Sequence, residues 1–289
     1  MVKELLIGSS LLLGGYTFFR FENRSLEKVE YIIENEKIPR EFDNFSMVQI
    51  SDLHNIEFGE KNCRLLQYVD ELHPDIIVIT GDLVDGEKSN FNVALNLIDE
   101  LSNKYKVYHI IGNHEQKALI KKYRDKYKEY FSELDKKNII NLNNEHIEIN
   151  RGNSSINLYG LVVPLSCYRY LFDKKDNINI DKKHVQNLLG PINKEKYNIL
   201  LAHTPFYFNE YAKWGADLIL AGHVHGGIIR LPFLGGLLSP NREFFPKYDL
   251  GKYEYRNSEM ILTKGLGGSK VLVRVNCRPE IVKITLKSK

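Results

Sequence analysis

The residues in this chain best suited to chemistry fall into five short clusters. These are Asp52 with His54, Asp82 with Asp85, Asn113-His114-Glu115, His203, and His223 with His225. Five of the nine histidines lie in them; His73, His109, His146 and His184 lie outside. Carboxylate, amide oxygen and imidazole together suit divalent ions such as Mn, Fe or Zn. No thiolate takes part, which argues against a structural zinc site. Seven potential ligands exceed what one tetrahedral ion accepts but suit two ions sharing a carboxylate. Two metals about 3.5–4 Å apart can bind and activate a bridging water while neutralising phosphate oxygens, the machinery of in-line phosphoryl displacement.

Each cluster follows an apolar run that reads as a strand: Met47–Ser51, Asp75–Thr80, Lys106–Ile111, Asn198–Ala202 and Leu218–Ala221. The runs are rich in Val, Ile and Leu, as in strands buried on both faces. Helices are expected around Asn62–Leu72 and Phe91–Asn103. Strand, polar cluster, helix recurs three times, the signature of βαβ units and a mainly parallel sheet. Ligands gather at the carboxyl ends of the strands in such sheets. In Asp52-Leu53-His54 and His223-Val224-His225, an extended backbone would point side chains i and i+2 the same way. Residues 117–137 read as one solvated amphipathic helix. Residues 138–163 read as two or three strands, and 166–196 as irregular and polar. Short strands at Gly227–Leu231, Met260–Lys264, Val271–Val275 and Ile281–Leu286 suggest a second, more antiparallel sheet.

With 289 residues, 43% apolar and 27% charged, the chain has an ordinary globular composition. A formal charge of +3 does not argue for a nucleic-acid partner. Cys63, Cys167 and Cys277 are far apart and read as small buried hydrophobes. Leu5–Phe19 is uncharged and almost wholly apolar, flanked by Lys3 and Arg20. Fifteen helical residues span about 22 Å, short of the roughly 30 Å hydrocarbon core. The expectation is an uncleaved signal anchor over residues 1–20, with a cleaved signal peptide or a buried helix as alternatives. Charges on both flanks leave its orientation open. Residues 21–46, with Pro39, read as a connector carrying an edge strand, and 47–289 as the main domain.

The ordered set DLH, GDLVDG, GNHE, AHTP and GHVHGG resembles the calcineurin-like metallophosphoesterase superfamily. The N-terminal apolar run, QISDLHN, GHVHGGIIRLPFLGGLLSP, Tyr248–Gly251 and Gly265–Gly267 resemble its membrane-associated YkuE/YaeI-type phosphodiesterase branch. The resemblance implies a four-layer αββα sandwich of two mixed sheets with the metals at strand C-terminal ends. It implies that Asp52, His54 and His225 hold one ion, that Asn113, His203 and His223 hold the other, and that Asp82 bridges them. His114 would protonate the leaving alkoxide after a metal-bridging hydroxide attacks phosphorus. Asp85 and Glu115 would orient an imidazole, cap a helix or fix a loop. Lys264 stands where this branch more often shows arginine, which puts a substrate contact there in doubt.

The expected function is a metal-dependent phosphoric ester hydrolase, foremost a phosphodiesterase. A phosphomonoesterase on the same scaffold and a non-catalytic metal-binding module are the alternatives. A lipid or cell-wall phosphodiester is the expected substrate class. Ile228–Leu238 reads either as core or as an apolar lip at the bilayer. The expected location is the cell membrane, with the catalytic domain extracytoplasmic. The sequence leaves the oligomeric state open.

Overall fold

The computed structural model describes residues 2–88, 90–120, 123–137, 139–168, 180–240, 243–268 and 274–289. Helix α1 (Val2–Arg24) leads into β1 (Glu27–Asn35). Then come β2 (Ser46–Ile50), α2 (Cys63–Leu72), β3 (Ile76–Ile79), α3 (Asn92–Ser102), β4 (Lys106–His109), α4 (Asn113–Ile120), α5 (Arg124–Lys136) and β5 (Ile140–Asn141). A second series follows: β6 (Glu145–Arg151), β7 (Ser154–Leu161), α6 (Lys182–Leu189), β8 (Asn198–Ala202), α7 (Phe208–Trp214) and β9 (Leu218–Ala221). The chain ends with β10 (Arg230–Leu231), β11 (Gly235–Gly236), β12 (Gly251–Tyr255), β13 (Ser258–Leu262) and β14 (Glu280–Ser288).

Two six-stranded mixed sheets result, in the orders β1-β14-β2-β3-β4-β5 and β12-β13-β9-β8-β7-β6. Strands alternate side chains between faces, so each sheet feeds two apolar layers. Met47, Val78 and Tyr108 of the first sheet meet Leu158, Ile199 and Leu220 of the second between the sheets. Val48, Ile77 and Val107 pack outward with Leu65 of α2, Leu97 of α3 and Tyr130 of α5. Leu200, Ile219 and Met260 pack outward with Val185 of α6 and Trp214 of α7. Burial on both faces explains why β3 is apolar from end to end and β8 is apolar after Asn198, with every residue buried. α2 needs only one stripe, and Leu65, Val69 and Leu72 supply it.

Several expectations change. The second sheet has two antiparallel pairings to the first sheet's one, but most of it is parallel: β7, β8, β9 and β13 run parallel, and β6 and β12 reverse at its edges. The last strand joins the first sheet instead, parallel to β1 and antiparallel to β2. Gly227–Leu231 gives only the two-residue β10, because the chain turns at Gly226 and Gly227. Of the expected strand Val271–Val275, residues 271–273 lie outside the described residues, and Val275 makes an isolated bridge to Ile229. Residues 117–137 divide between α4 and α5, with Tyr127, Tyr130 and Leu134 buried. Part of the expected irregular segment 166–196 forms α6, and 169–179 lie outside the described residues. Cys63 is exposed at the start of α2, whereas Cys167 and Cys277 are buried.

The expected membrane helix over residues 1–20 is also corrected. A helix is present and runs further, to Arg24. Among the described residues, however, no helix is long and apolar enough to cross a membrane. Glycines, serines and Thr17 dilute the apolar run, and Arg20, Glu22 and Arg24 end it. The last turns dock on the body of the protein. Cys277 N–H donates to Glu22 Oε2 at 3.2 Å, and Arg24 Nη1 donates to the Glu57 carbonyl at 2.7 Å.

Candidate metal centre

The turns after β2, β3, β8 and β9, together with the start of α4, meet at one end of the two sheets. Asp52, His54, Asp82, Asn113, His114, His203, His223 and His225 are all buried there. Ligand atoms form three overlapping groups, each within 4.8 Å: Asp52-His54-His225, His54-Asp82-His114 and Asp82-His203-His223. The Nε2 atoms of His54, His203 and His225 lie 3.9, 3.9 and 3.8 Å from Asp52 Oδ1. Asp82 Oδ2 is 3.1 Å from His203 Nε2 and 3.9 Å from His54 Nε2.

The turns achieve this with strained backbone. Asp52, His54, Asp82, His223 and His225 have φ of 54°, 47°, 54°, 74° and 52°. Left-handed conformations cost non-glycine residues on the order of 1–3 kcal/mol each and cluster at functional sites. The paired side chains therefore converge through tight turns, not along extended strands as i, i+2 spacing suggested. His223 and His225 also part company. His223 joins Asp82 and His203, while His225 joins Asp52 and His54.

Neighbouring hydrogen bonds fix these side chains. His203 Nδ1–H donates to the Thr80 carbonyl at 2.7 Å, turning Nε2 towards Asp82. Ser51 Oγ–H donates to Asp52 Oδ2 at 2.7 Å. The His114 N–H donates to Asp82 Oδ1 at 2.7 Å. Glu115 accepts from the N–H groups of Asp82, Val84 and Gly112, so its role is to fix a loop. Asp85 Oδ1 lies 3.5 Å from His114 Nδ1, which also accepts from Gly86 N–H at 3.1 Å. With Nδ1 accepting, the proton of neutral imidazole sits on Nε2. Lys264 is not free to meet a substrate: its ammonium is 2.5 Å from Glu27 Oε2 and 3.3 Å from Glu280 Oε2. Ser51, the Thr80 carbonyl and Tyr168, whose ring lies 5.0 Å from that of His223, were not singled out in the sequence. Only folding brings these groups to the site.

The donor set fits divalent metal. Among the described residues, buried Asn113 Oδ1, His54 Nε2, His223 Nε2 and His225 Nδ1 have no hydrogen-bond partner, and such atoms ordinarily find one. Burial pushes the imidazoles of His54 and His225 down to about 3 and that of His223 well below its usual value, leaving them neutral as ligands must be. Burial opposes charge on His203 too, but Asp82 outweighs it and lifts the ring to about 9. A cation at this position would displace that proton. Burial and then Asp82 raise Glu115 to about 7.

Buried carboxylates, an amide and clustered imidazoles at strand ends define a metallohydrolase centre. Residues 45–227 match the calcineurin-like phosphoesterase family, and the chain belongs to that family. It is a metallophosphoesterase, a divalent-metal-dependent hydrolase of phosphoric esters. Metallophosphoesterase YkuE of Bacillus subtilis is 26% identical over 294 residues, covering 100% of this chain and 95% of that one. A transmembrane protein with metallophosphoesterase domain from Danio rerio is 29% identical, over 90% of this chain and 57% of that one. Among solved structures, phosphopantetheinyl hydrolase from Mycobacterium tuberculosis shares the fold, with a TM-score of 0.50 and 12% identity, over 78% of this chain and 91% of that one.

Proposed function

We propose that this metallophosphoesterase is a phosphodiesterase that uses two divalent ions. Asp52, His54 and His225 hold one ion, Asn113, His203 and His223 hold the other, and Asp82 reaches both. The overlap of the donor groups at Asp82 carries this reading: it belongs to one group with His54 and to another with His203 and His223. Divalent ions held by these residues would supply charge for the phosphate oxygens and a more acidic water nucleophile. His114, positioned by Gly86 N–H and Asp85 beside its Nδ1, would deliver the proton from Nε2 to the departing alkoxide.

The substrate in this reading is a lipid or envelope phosphodiester. Residues 47–289 are the catalytic unit, 21–46 connect it and add the edge strand β1, and α1 rests on the surface of the cell membrane through its exposed apolar side chains, with the catalytic face extracytoplasmic. The support is apolar surface. Leu13, Tyr16, Phe18 and Phe21 of α1 are exposed, as are Phe233 and Leu234 at the tip of the β10–β11 hairpin and Phe244 and Phe245 beyond it. The hairpin starts three residues after Gly227, the residue that accepts from Leu238 N–H.

The test is hydrolysis of bis-p-nitrophenyl phosphate against p-nitrophenyl phosphate by the Mn-loaded protein, followed by a screen of lipid and envelope phosphodiesters. Preference for the diester supports the reading, and exclusive monoester turnover replaces it with a phosphomonoesterase. Replacing Phe233 and Leu234 with serine is expected to impair a lipid substrate more than a soluble ester. Equal losses on both substrates count against the lipid assignment.

A further inference from the structure

The end of α1 does more than dock. It forms one wall of a cavity of about 150 Å³, whose lining includes Arg20, Asn23, Arg24, Ile56, Leu266 and Arg274. Arg20 and Arg24 are one helical turn apart and so share a face. Both are exposed. Arg20 has no hydrogen-bond or ion-pair partner among the described residues. Arg24 spends one N–H on the Glu57 carbonyl. Arg274 is only 4% exposed, and its guanidinium contacts the carbonyls of Lys264, Gly267 and Cys277 and, among the described residues, no carboxylate. Its backbone N–H donates to Asn23 Oδ1 at 3.1 Å, tying it to α1. The nearby carboxylate of Glu22 is engaged by Cys277 N–H. Among the described residues, the cavity lining thus carries three arginines and no acidic side chain.

Its position relative to the metal centre is set by short backbone links. Ile56 lies two residues beyond His54. The N–H groups of Leu266 and Gly267 donate to the carbonyls of Ser51 and Asp52 at 3.0 and 2.5 Å. Cys277, which Arg274 contacts, donates from Sγ to the His225 carbonyl at 3.2 Å. The recess therefore backs onto the turns that carry Asp52, His54 and His225.

We infer that Arg20, Arg24 and Arg274 form a subsite for a phosphate group other than the one hydrolysed. Guanidinium groups match phosphate oxygens in geometry and charge. That group is either a second phosphate of the substrate or the headgroup phosphate of a neighbouring lipid. The inference rests on the proposed phosphodiesterase reaction and deepens it: the preferred substrate, or the surface around it, carries an additional phosphate.

The test compares the full-length, Mn-loaded protein with its Arg20→Ser/Arg24→Ser variant. Both residues are exposed, so folding is preserved, and circular dichroism checks this. Thymidine 5′-(p-nitrophenyl phosphate) and its 3′-phosphorylated form are the first pair of probes. If the second phosphate belongs to the substrate, the wild type favours the 3′-phosphorylated ester in kcat/KM, and the variant loses at least tenfold of that preference. If it belongs to a lipid, flotation with phosphatidylcholine vesicles containing phosphatidylglycerol recovers the wild type and not the variant. A variant indistinguishable from the wild type in both assays overturns the subsite. Failure of the wild type to hydrolyse bis-p-nitrophenyl phosphate would instead remove the phosphodiesterase reading and leave the vesicle assay to decide the subsite.

Discussion

The Nδ1–H of His203 donates to the carbonyl oxygen of Thr80 at 2.7 Å, across 123 positions of sequence. Thr80 follows β3 and His203 follows β8, so this one bond ties the first sheet to the second at the metal centre. It also fixes the tautomer of the neutral ring, leaving the Nε2 lone pair, 3.1 Å from Asp82 Oδ2, to face a metal ion. His203→Ala removes that donor while the Asp52-His54-His225 group remains. The expected outcome is a drop in Mn per chain from two towards one, with turnover of bis-p-nitrophenyl phosphate down by about 100-fold or more. Elemental analysis and kinetics check it; full Mn content in the variant would remove His203 from the ligand set.

His114 makes a different prediction. Gly86 N–H occupies its Nδ1 and places the neutral ring's proton on Nε2. A proton donor matters most when the leaving oxygen is basic, and general acid catalysis typically contributes about 10²–10⁴-fold. His114→Ala should therefore slow an alkyl phosphodiester by that order and a p-nitrophenyl diester much less, with metal content unchanged. Equal slowing of both esters accompanied by loss of Mn would make His114 a ligand, as its grouping with His54 and Asp82 allows.

Gly222 tests whether the cradle matters apart from the ligands. A Cβ built there would collide with Ser51 Oγ and Asp52 Oδ2. The residue has no metal-binding atom of its own, yet a methyl group would push the Asp52 carboxylate aside. Gly222→Ala is expected to weaken Mn affinity and activity by about 10–100-fold, with little change in circular dichroism. Unchanged Mn affinity would mean that Ser51 yields and Asp52 stays in place.

Much of this was readable in the sequence because the strands are short, apolar and buried on both faces. Ile76–Ile79 and Asn198–Ala202 read as strands by composition alone, and the polar clusters after them marked the edge where ligands collect. Partnership between strands was not readable. Nothing in Glu280–Ser288 says that it will insert between β1 and β2, nine residues parallel to one and four antiparallel to the other. That choice depends on packing between segments more than 200 positions apart. The site divides in the same way. The residue types in DLH and GHVHGG were informative, but periodicity predicted extended pairs where the chain uses left-handed turns, and so joined His223 to His225. The carbonyl that orients His203 has no signature, because any residue at position 80 would present one.

The buried imidazoles make the protein without metal sensitive to pH on both sides of neutrality. His54 and His225 are held down at about 3 and His109 at about 4, chiefly by burial. A free histidine titrates near 6.5. Between these values the unfolded chain binds more protons than the folded one, so stability is complete above about 6.5 and is lost as pH falls towards 3–4. Glu115 works against this trend: raised to about 7, it costs stability as pH rises from its usual 4.5. It is one group against four, because burial holds His223 down as well. His203 behaves in the opposite sense to the other histidines. Asp82 lifts it to about 9, so its contribution is present below 6.5 and disappears as pH rises through 9. The EDTA-treated protein should therefore have its highest Tm between about pH 6 and 7, with a decline on either side. Mn displaces the His203 proton, so the loaded protein should show no loss of Tm between pH 7 and 9. Thermal unfolding of both forms across pH 4–9 decides the matter. A metal-free Tm that keeps rising to pH 9 would show that His203 is not held protonated by Asp82.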